Sequence, residues 1–175
     1  MIDEETIKQI TNELGLPSYD VLLLGDASGT IATKASGWAC IYYLPLKNET
    51  KLHFGATTLG TNNFAELCPY LNVLWLDNTL EKVPTVIRRV EIVSDSELSV
   101  KCGNREYSRN ANLPLWAGFD CLERLGYRIH WNHVPRNSNL ANSLCELHSF
   151  LHSNEWFVWI VKELVLAWMH RRQLH

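Results

Sequence analysis

The stretch from Tyr19 to Thr30, YDVLLLGDASGT, constrains this chain more than any other. A short apolar run bounded by turn formers reads as a buried central strand. Asp26 stands at its end, followed by Ala27, Ser28 and Gly29. Aspartate is a poor strand residue and is costly to bury without a partner. Asp before Ser and Gly makes a good turn, and taken alone that is the leading reading. The other reading is a carboxylate set at a strand end to hold a metal or a substrate.

The rest of the chain supplies the context. Residues 3–14 predict a short helix, capped by Asp3 and with Ile7, Ile10 and Leu14 on one face. Gly15 and Pro17 end it. After the opening strand, Ser36–Leu44 and Lys51–Leu59 read as two more, joined by a turn at Pro45–Glu49. Short connections make the three an antiparallel meander. Asn62–Leu76 has helical periodicity through Leu67, Leu71, Leu74 and Trp75, with Pro69 expected to bend it. Residues 77–89 read as a polar connection and Arg89–Ser94 as a fourth strand ending at Asp95. A short helix (96–102), a polar loop (103–112), a helix (113–125) closed by Gly126, a strand (127–134), a turn (135–139) and a helix (140–151) complete the pattern. The order βββαβαβα predicts an α/β fold: a five-stranded mixed sheet flanked by helices. Residues 1–18 are expected to form an N-terminal helical extension, 19–151 the domain itself, and 152–175 a C-terminal helix. Trp38, Trp75, Trp116 and Trp131 read as packing groups, not stacking platforms.

Composition limits the partners. A net charge of −3 rules out a broadly basic surface, so any nucleic-acid binding must rest on a local patch. Lys101, Arg105 and Arg109 offer one, with a solvated loop as the alternative. The five cysteines have neither zinc-type nor redox-type spacing and read as reduced thiols of a cytoplasmic protein. The acidic, amphipathic N-terminus does not read as a signal peptide. The C-terminal segment NEWFVWIVKELVLAWMHRRQLH is strongly apolar but is interrupted by Lys162 and Glu163 and is short for a bilayer, so no membrane is expected. It reads as a helix packing on the domain, or as the surface for a homodimer or a protein partner.

Three acids fall in related places: Asp26 after the first strand, Glu66 early in the helix after the meander, and Asp95 after the fourth strand. A right-handed crossover sets the fourth strand parallel to the first. The carboxyl ends of both then share one rim, where ligands of open sheets bind. Three carboxylates at one point repel one another, and a divalent cation offsets that repulsion. Oxygen ligands suit Mg²⁺ or Mn²⁺.

The stretches GDASG around Asp26, TNNFAEL (Thr61–Leu67), SDSELSVK (Ser94–Lys101) and NLPLWAGFDCLERLGYRIHWNHVPRNSN resemble type 1 ribonuclease H, in the same order and over roughly residues 19–150. The resemblance implies an endonuclease that cuts the RNA strand of RNA–DNA hybrids with two Mg²⁺ or Mn²⁺ ions, giving 5′-phosphate and 3′-hydroxyl ends. It implies that Asp26 bridges the ions, Glu66 serves one of them and Asp95 anchors the pair. Ser28, Asn62 and Asn63 would touch the nucleic acid, the asparagines from its minor groove, where the 2′-hydroxyl separates RNA from DNA. Helix capping accounts for the asparagines equally well. The chain departs from the family at its fourth acid, where Asn142 stands. An amide oxygen ligates without charge, which weakens the second metal. The loop before that helix, Pro135–Asn139, is of a short type in which Arg136 would meet a phosphate. An inactive relative that binds nucleic acid or a protein is the alternative, as is a nuclease of another substrate.

Overall fold

A computed structural model describes residues 4–30, 35–57, 62–80 and 87–135. Its elements run α1 (Glu4–Glu13), β1 (Val21–Thr30), β2 (Ala35–Leu44), β3 (Glu49–Thr57), α2 (Asn62–Leu80), β4 (Arg88–Ser94), α3 (Glu97–Gly103), α4 (Leu113–Arg124) and β5 (Tyr127–His133). The five strands form one sheet in the order β3-β2-β1-β4-β5. β2 pairs antiparallel with both β1 and β3. β4 pairs parallel with β1 and with β5. This is the mixed α/β sheet expected from the sequence. The predicted helix at 140–151 and the segment 152–175 lie outside the described residues.

Strand alternation gives the sheet two apolar faces. On one, Val21, Leu23, Val90, Ile92 and Trp131 meet Leu67, Leu71 and Leu74 of α2 and Trp116, Phe119 and Leu122 of α4. On the other, Leu22, Leu24, Ile41, Tyr43 and Val93 receive Ile7 and Ile10 of α1. The predicted N-terminal helix is therefore docked through the two isoleucines its periodicity singled out. Each such fully buried aliphatic side chain stabilises by about 1.5–3 kcal/mol over leaving it exposed. One acid, Glu91, is buried on this second face and accepts hydrogen bonds from Asn132 Nδ2 (2.8 Å), with His130 Nδ1 2.9 Å away.

Two boundaries differ from expectation. α2 runs on to Leu80, so Asp77 is on a helix and not in a polar connection. It is carried there by a buried ion pair, described below. Trp75 is 36% exposed, since the helix turns its face to Leu71, Leu74 and Asp77 instead. Trp38, Trp116 and Trp131 are buried as expected. β1 continues past Asp26 to Thr30, because β2 still offers it a partner as far as Ala35. α4 ends as predicted, at Gly126 with φ of 107°, a conformation that favours glycine. Among the described residues no helix is long and apolar enough to cross a membrane.

Candidate active site

Three segments meet where β1 and β4 stop pairing. Their parallel ladder ends at Leu24 opposite Val93. Asp26 and Asp95 each lie two residues beyond that rung, so equal extension carries both to one rim of the sheet. Asp26 is partly buried, and its Oδ1 accepts the N–H of Ala27 at 2.8 Å. Asp95 sits between two serines that fix the backbone. Ser96 donates its N–H to Ser94 Oγ at 3.2 Å and caps α3 by accepting the N–H of Ser99 at 3.4 Å. The N–H of Val134 donates to Ser94 O at 3.0 Å, tying the same turn to the end of β5. α2 packs over β1 and β2 and carries Glu66 in its second turn, at the end of the helix nearer this rim, with Oε2 shut off from water.

Tyr70 joins these segments. It lies four residues after Glu66 and so on the same face of α2. Its hydroxyl donates to the carbonyl oxygens of Gly25 (2.8 Å) and Val93 (3.0 Å). A Cβ on Gly25 would come within 2.6 Å of the Tyr70 ring, so the ring dictates the glycine in an otherwise bulky strand. Burial pushes the Tyr70 phenol well above its ordinary value; a hydrogen bond with the Ser94 side chain opposes the rise, and the nearby charges of Asp26 and Asp95 add to it. Tyr70 thus stays protonated, a donor held between the two aspartates. Sequence reasoning missed it. The signal was there in the spacing of four from Glu66 and in a glycine at the end of an apolar strand.

The donor set at the rim is carboxylate oxygen throughout. Among the described residues no three His, Cys, Asp or Glu side chains are already gathered into a metal cage. Asn142 and Arg136 lie outside the described residues. Ser28 stands on β1 opposite Gly37, two residues beyond Asp26, and Asn62 opens α2. Asn63 is exposed at the head of α2 and lines a groove of about 240 Å³ with Ser99, Ser108, Arg109, Asn112 and Trp116.

Each predicted loop cation has an acidic partner. Lys101 pairs with Glu97 at 2.6 Å, one helical turn away, and lies 5.0 Å from the ring centre of Tyr107. Arg105 pairs with Asp120 at 3.0 Å and Glu123 at 2.8 Å. Arg109 is only 12% exposed: it pairs with Asp120 at 2.7 Å, donates to the carbonyls of Cys102 and Gly103, and stacks 4.3 Å over Trp116. It is a strut that closes the loop onto α4 and walls the groove.

The opposite rim holds the second group that sequence reasoning missed. Asp77, 4% exposed near the far end of α2, accepts hydrogen bonds from Tyr42 and from Tyr127 (2.9 Å) and pairs with Arg88 at 2.7 Å. The network ties β2, α2, β4 and β5 together.

Neither a protein-family model nor a curated protein matches the sequence. Solved structures do. The N-terminal RNase H domain of Rv2228c from Mycobacterium tuberculosis superposes with a TM-score of 0.55 at 21% identity, covering 70% of this chain and 86% of that one. LC11-RNase H1, solved in complex with an RNA/DNA hybrid, gives 0.56 at 19% identity, over 68% and 88%. The foamy viral protease-reverse transcriptase, solved with dsDNA, gives 0.51 at 18%, over 74% and 92%. The sheet order, the crossover and these superpositions agree: the chain has the ribonuclease H fold.

Proposed function

We propose that the chain is a metal-dependent endonuclease that hydrolyses the RNA strand of RNA–DNA hybrids, leaving 5′-phosphate and 3′-hydroxyl ends. One observation supports the reading: Asp26 and Asp95 each lie two residues past the last rung between β1 and β4 of a ribonuclease H fold, and the helix that carries Glu66 packs over β1. Carboxylate oxygens are hard ligands, and their shared charge is offset by a divalent cation, so the residues fit Mg²⁺ or Mn²⁺. Asp26 would bridge two ions, Glu66 would hold one and Asp95 would anchor the pair, with Asn142 as a neutral fourth ligand. Held there, the cations would supply an activated water and neutralise charge on the leaving 3′ oxygen. Ser28, Asn62 and Asn63 would meet the hybrid's sugars beside the acids. Lys101, Arg105 and Arg136 would meet phosphates, with Arg109 shaping the groove wall. Because Lys101 and Arg105 already pair with acids, these contacts are few in net charge and binding is modest.

The test is cleavage of a labelled hybrid in Mg²⁺ or Mn²⁺ beside an Asp26→Asn control. Equal, negligible cutting by both would end the enzyme reading. A second reading, a weakly active or inactive module that binds nucleic acid or a protein partner, draws on Asn142 at the fourth ligand position. On the enzyme reading, Asn142→Asp raises Mg²⁺-dependent cutting by restoring the charge. An unchanged, negligible rate in that variant supports the binding module.

A further inference from the structure

We infer that Tyr70 is the positioning residue that sets the separation of the two aspartate-bearing strands, and through it the affinity of the acid cluster for divalent cations. The inference rests on the metal-site reading above and adds to it a residue that carries no ligand atom.

The backbone explains the need. Hydrogen bonds of the parallel ladder fix the spacing of β1 and β4 only as far as Leu24 and Val93. Asp26 and Asp95 lie beyond the last rung, where the ladder no longer holds the strands at a set distance. The Tyr70 hydroxyl enters at that point. It takes the carbonyl of Gly25, in the peptide that leads into Asp26, and the carbonyl of Val93, two residues before Asp95. It acts as the next rung, supplied by a side chain. Ser94, the residue after Val93, receives the N–H of Ser96 on its hydroxyl, so the backbone is held on around Asp95.

The ring sets the third ligand. Packed on bare Gly25, Tyr70 fixes how closely α2 approaches β1. Glu66 stands one turn earlier on the same face, so the seating that places Tyr70 also places Glu66. One side chain thus touches or carries all three acid-bearing segments. Groups that orient ligands without binding metal change affinity by about 10–100-fold when removed.

The experiment measures Mn²⁺ binding to the full chain without nucleic acid, by the loss of the free-ion paramagnetic resonance signal. Thermal unfolding is followed in parallel. Tyr70→Phe keeps the ring and removes the hydroxyl. Tyr127→Phe is the control, since it removes a buried hydroxyl bond at the opposite rim. Tyr70→Phe is expected to weaken Mn²⁺ binding about tenfold, and Tyr127→Phe to leave it unchanged while lowering the melting temperature by about as much as Tyr70→Phe does. Gly25→Ala, which pushes the ring away, is expected to weaken binding similarly. Wild-type affinity in folded Tyr70→Phe or folded Gly25→Ala overturns the inference, as does equal weakening in Tyr127→Phe. If Asp26→Asn binds Mn²⁺ as wild type does, the metal-site reading itself has failed and the inference goes with it. The two failures are told apart by which variant matches wild type.

Discussion

The two ends of α2 carry the same chemistry to opposite purposes. Glu66 and Asp77 are eleven residues apart, about three turns, and so lie on one face of the helix about 16 Å from each other. Asp77 is met by the Arg88 guanidinium and two tyrosine hydroxyls. Glu66 stands at the end of the helix nearer the rim that holds Asp26 and Asp95, two groups of its own charge. An acid whose work is to hold a fold together is given opposite charge and donors. In the proposed function, the like charges at the other rim are what a bound cation would offset.

Removing an acid from each rim should therefore give opposite phenotypes. Asp26→Asn is expected to lower hybrid cleavage by at least about 10³-fold, about 4 kcal/mol of transition-state stabilisation, with no loss of folding stability. Asp77→Ala leaves Arg88 and two buried hydroxyls uncompensated and is expected to cost about 3 kcal/mol of stability. Its folded fraction should cut at the wild-type rate. Urea unfolding and single-turnover cleavage on both variants test this. A stable, inactive Asp77→Ala, or an unfolded Asp26→Asn, would reverse the assignment of the two ends.

Why one end was legible in the sequence and the other was not follows from the same contrast. Asp26 and Asp95 stand near the ends of strand runs that periodicity alone delimits, and the parallel pairing of β1 with β4 then sets both at one rim, with Glu66 on the helix that packs over β1. Asp77 has partners on β2, β4 and β5, at Tyr42, Arg88 and Tyr127, none within ten positions of it. No local pattern announces such a pairing, so a polar residue after Trp75 and Leu76 looked like the end of a helix. The basic loop failed to reveal its state for a related reason. Lys101, Arg105 and Arg109 stand out as cations, but Asp120 and Glu123 reach two of them from one face of α4. Tyr70 lay hidden because it is aromatic on an apolar helix face, where packing is the default. Only its hydroxyl, aimed at two carbonyls, separates it from Leu67 or Leu74.

Between its ends the buried face of α2 carries the Cys68 thiol, and comparing wild type with Cys68→Ala across pH isolates its share. Burial pushes the Cys68 thiol up to about 11 from 9.0. The folded value lies above the unfolded one, so the contribution is fully present below about pH 9 and is lost as pH rises toward 11. The loss is on the order of 2 kcal/mol. Cys40, Tyr42, Tyr70 and Tyr127 are raised as well, and Tyr42 and Tyr127 lie beside the charge of Asp77. Wild type should thus lose stability between pH 8 and 10.5, and Cys68→Ala, though weaker at pH 8, should lose less over that interval. Urea midpoints at the two pH values decide it. Parallel losses in the two proteins would mean that the thiol does not sit in the core as the structure has it.

The smallest effect tests the contrast most directly. Glu66→Gln keeps the shape of the side chain and removes one of three like charges. If the rim acids repel one another, the variant should be more stable than wild type, by about 0.5–1 kcal/mol without divalent cations. Added Mg²⁺ should then stabilise wild type, because a ligand that binds only the folded state adds to its stability, and should stabilise Glu66→Gln less. The order of the two proteins would cross as Mg²⁺ is raised. A loss of more than 1 kcal/mol on making Glu66→Gln, unaffected by Mg²⁺, would place Glu66 in the same class as Asp77, an acid held by its surroundings and not one waiting for a cation. The contrast between the two ends of the helix would then be one of exposure alone, and the site would have to be sought around Asp26 and Asp95 without it.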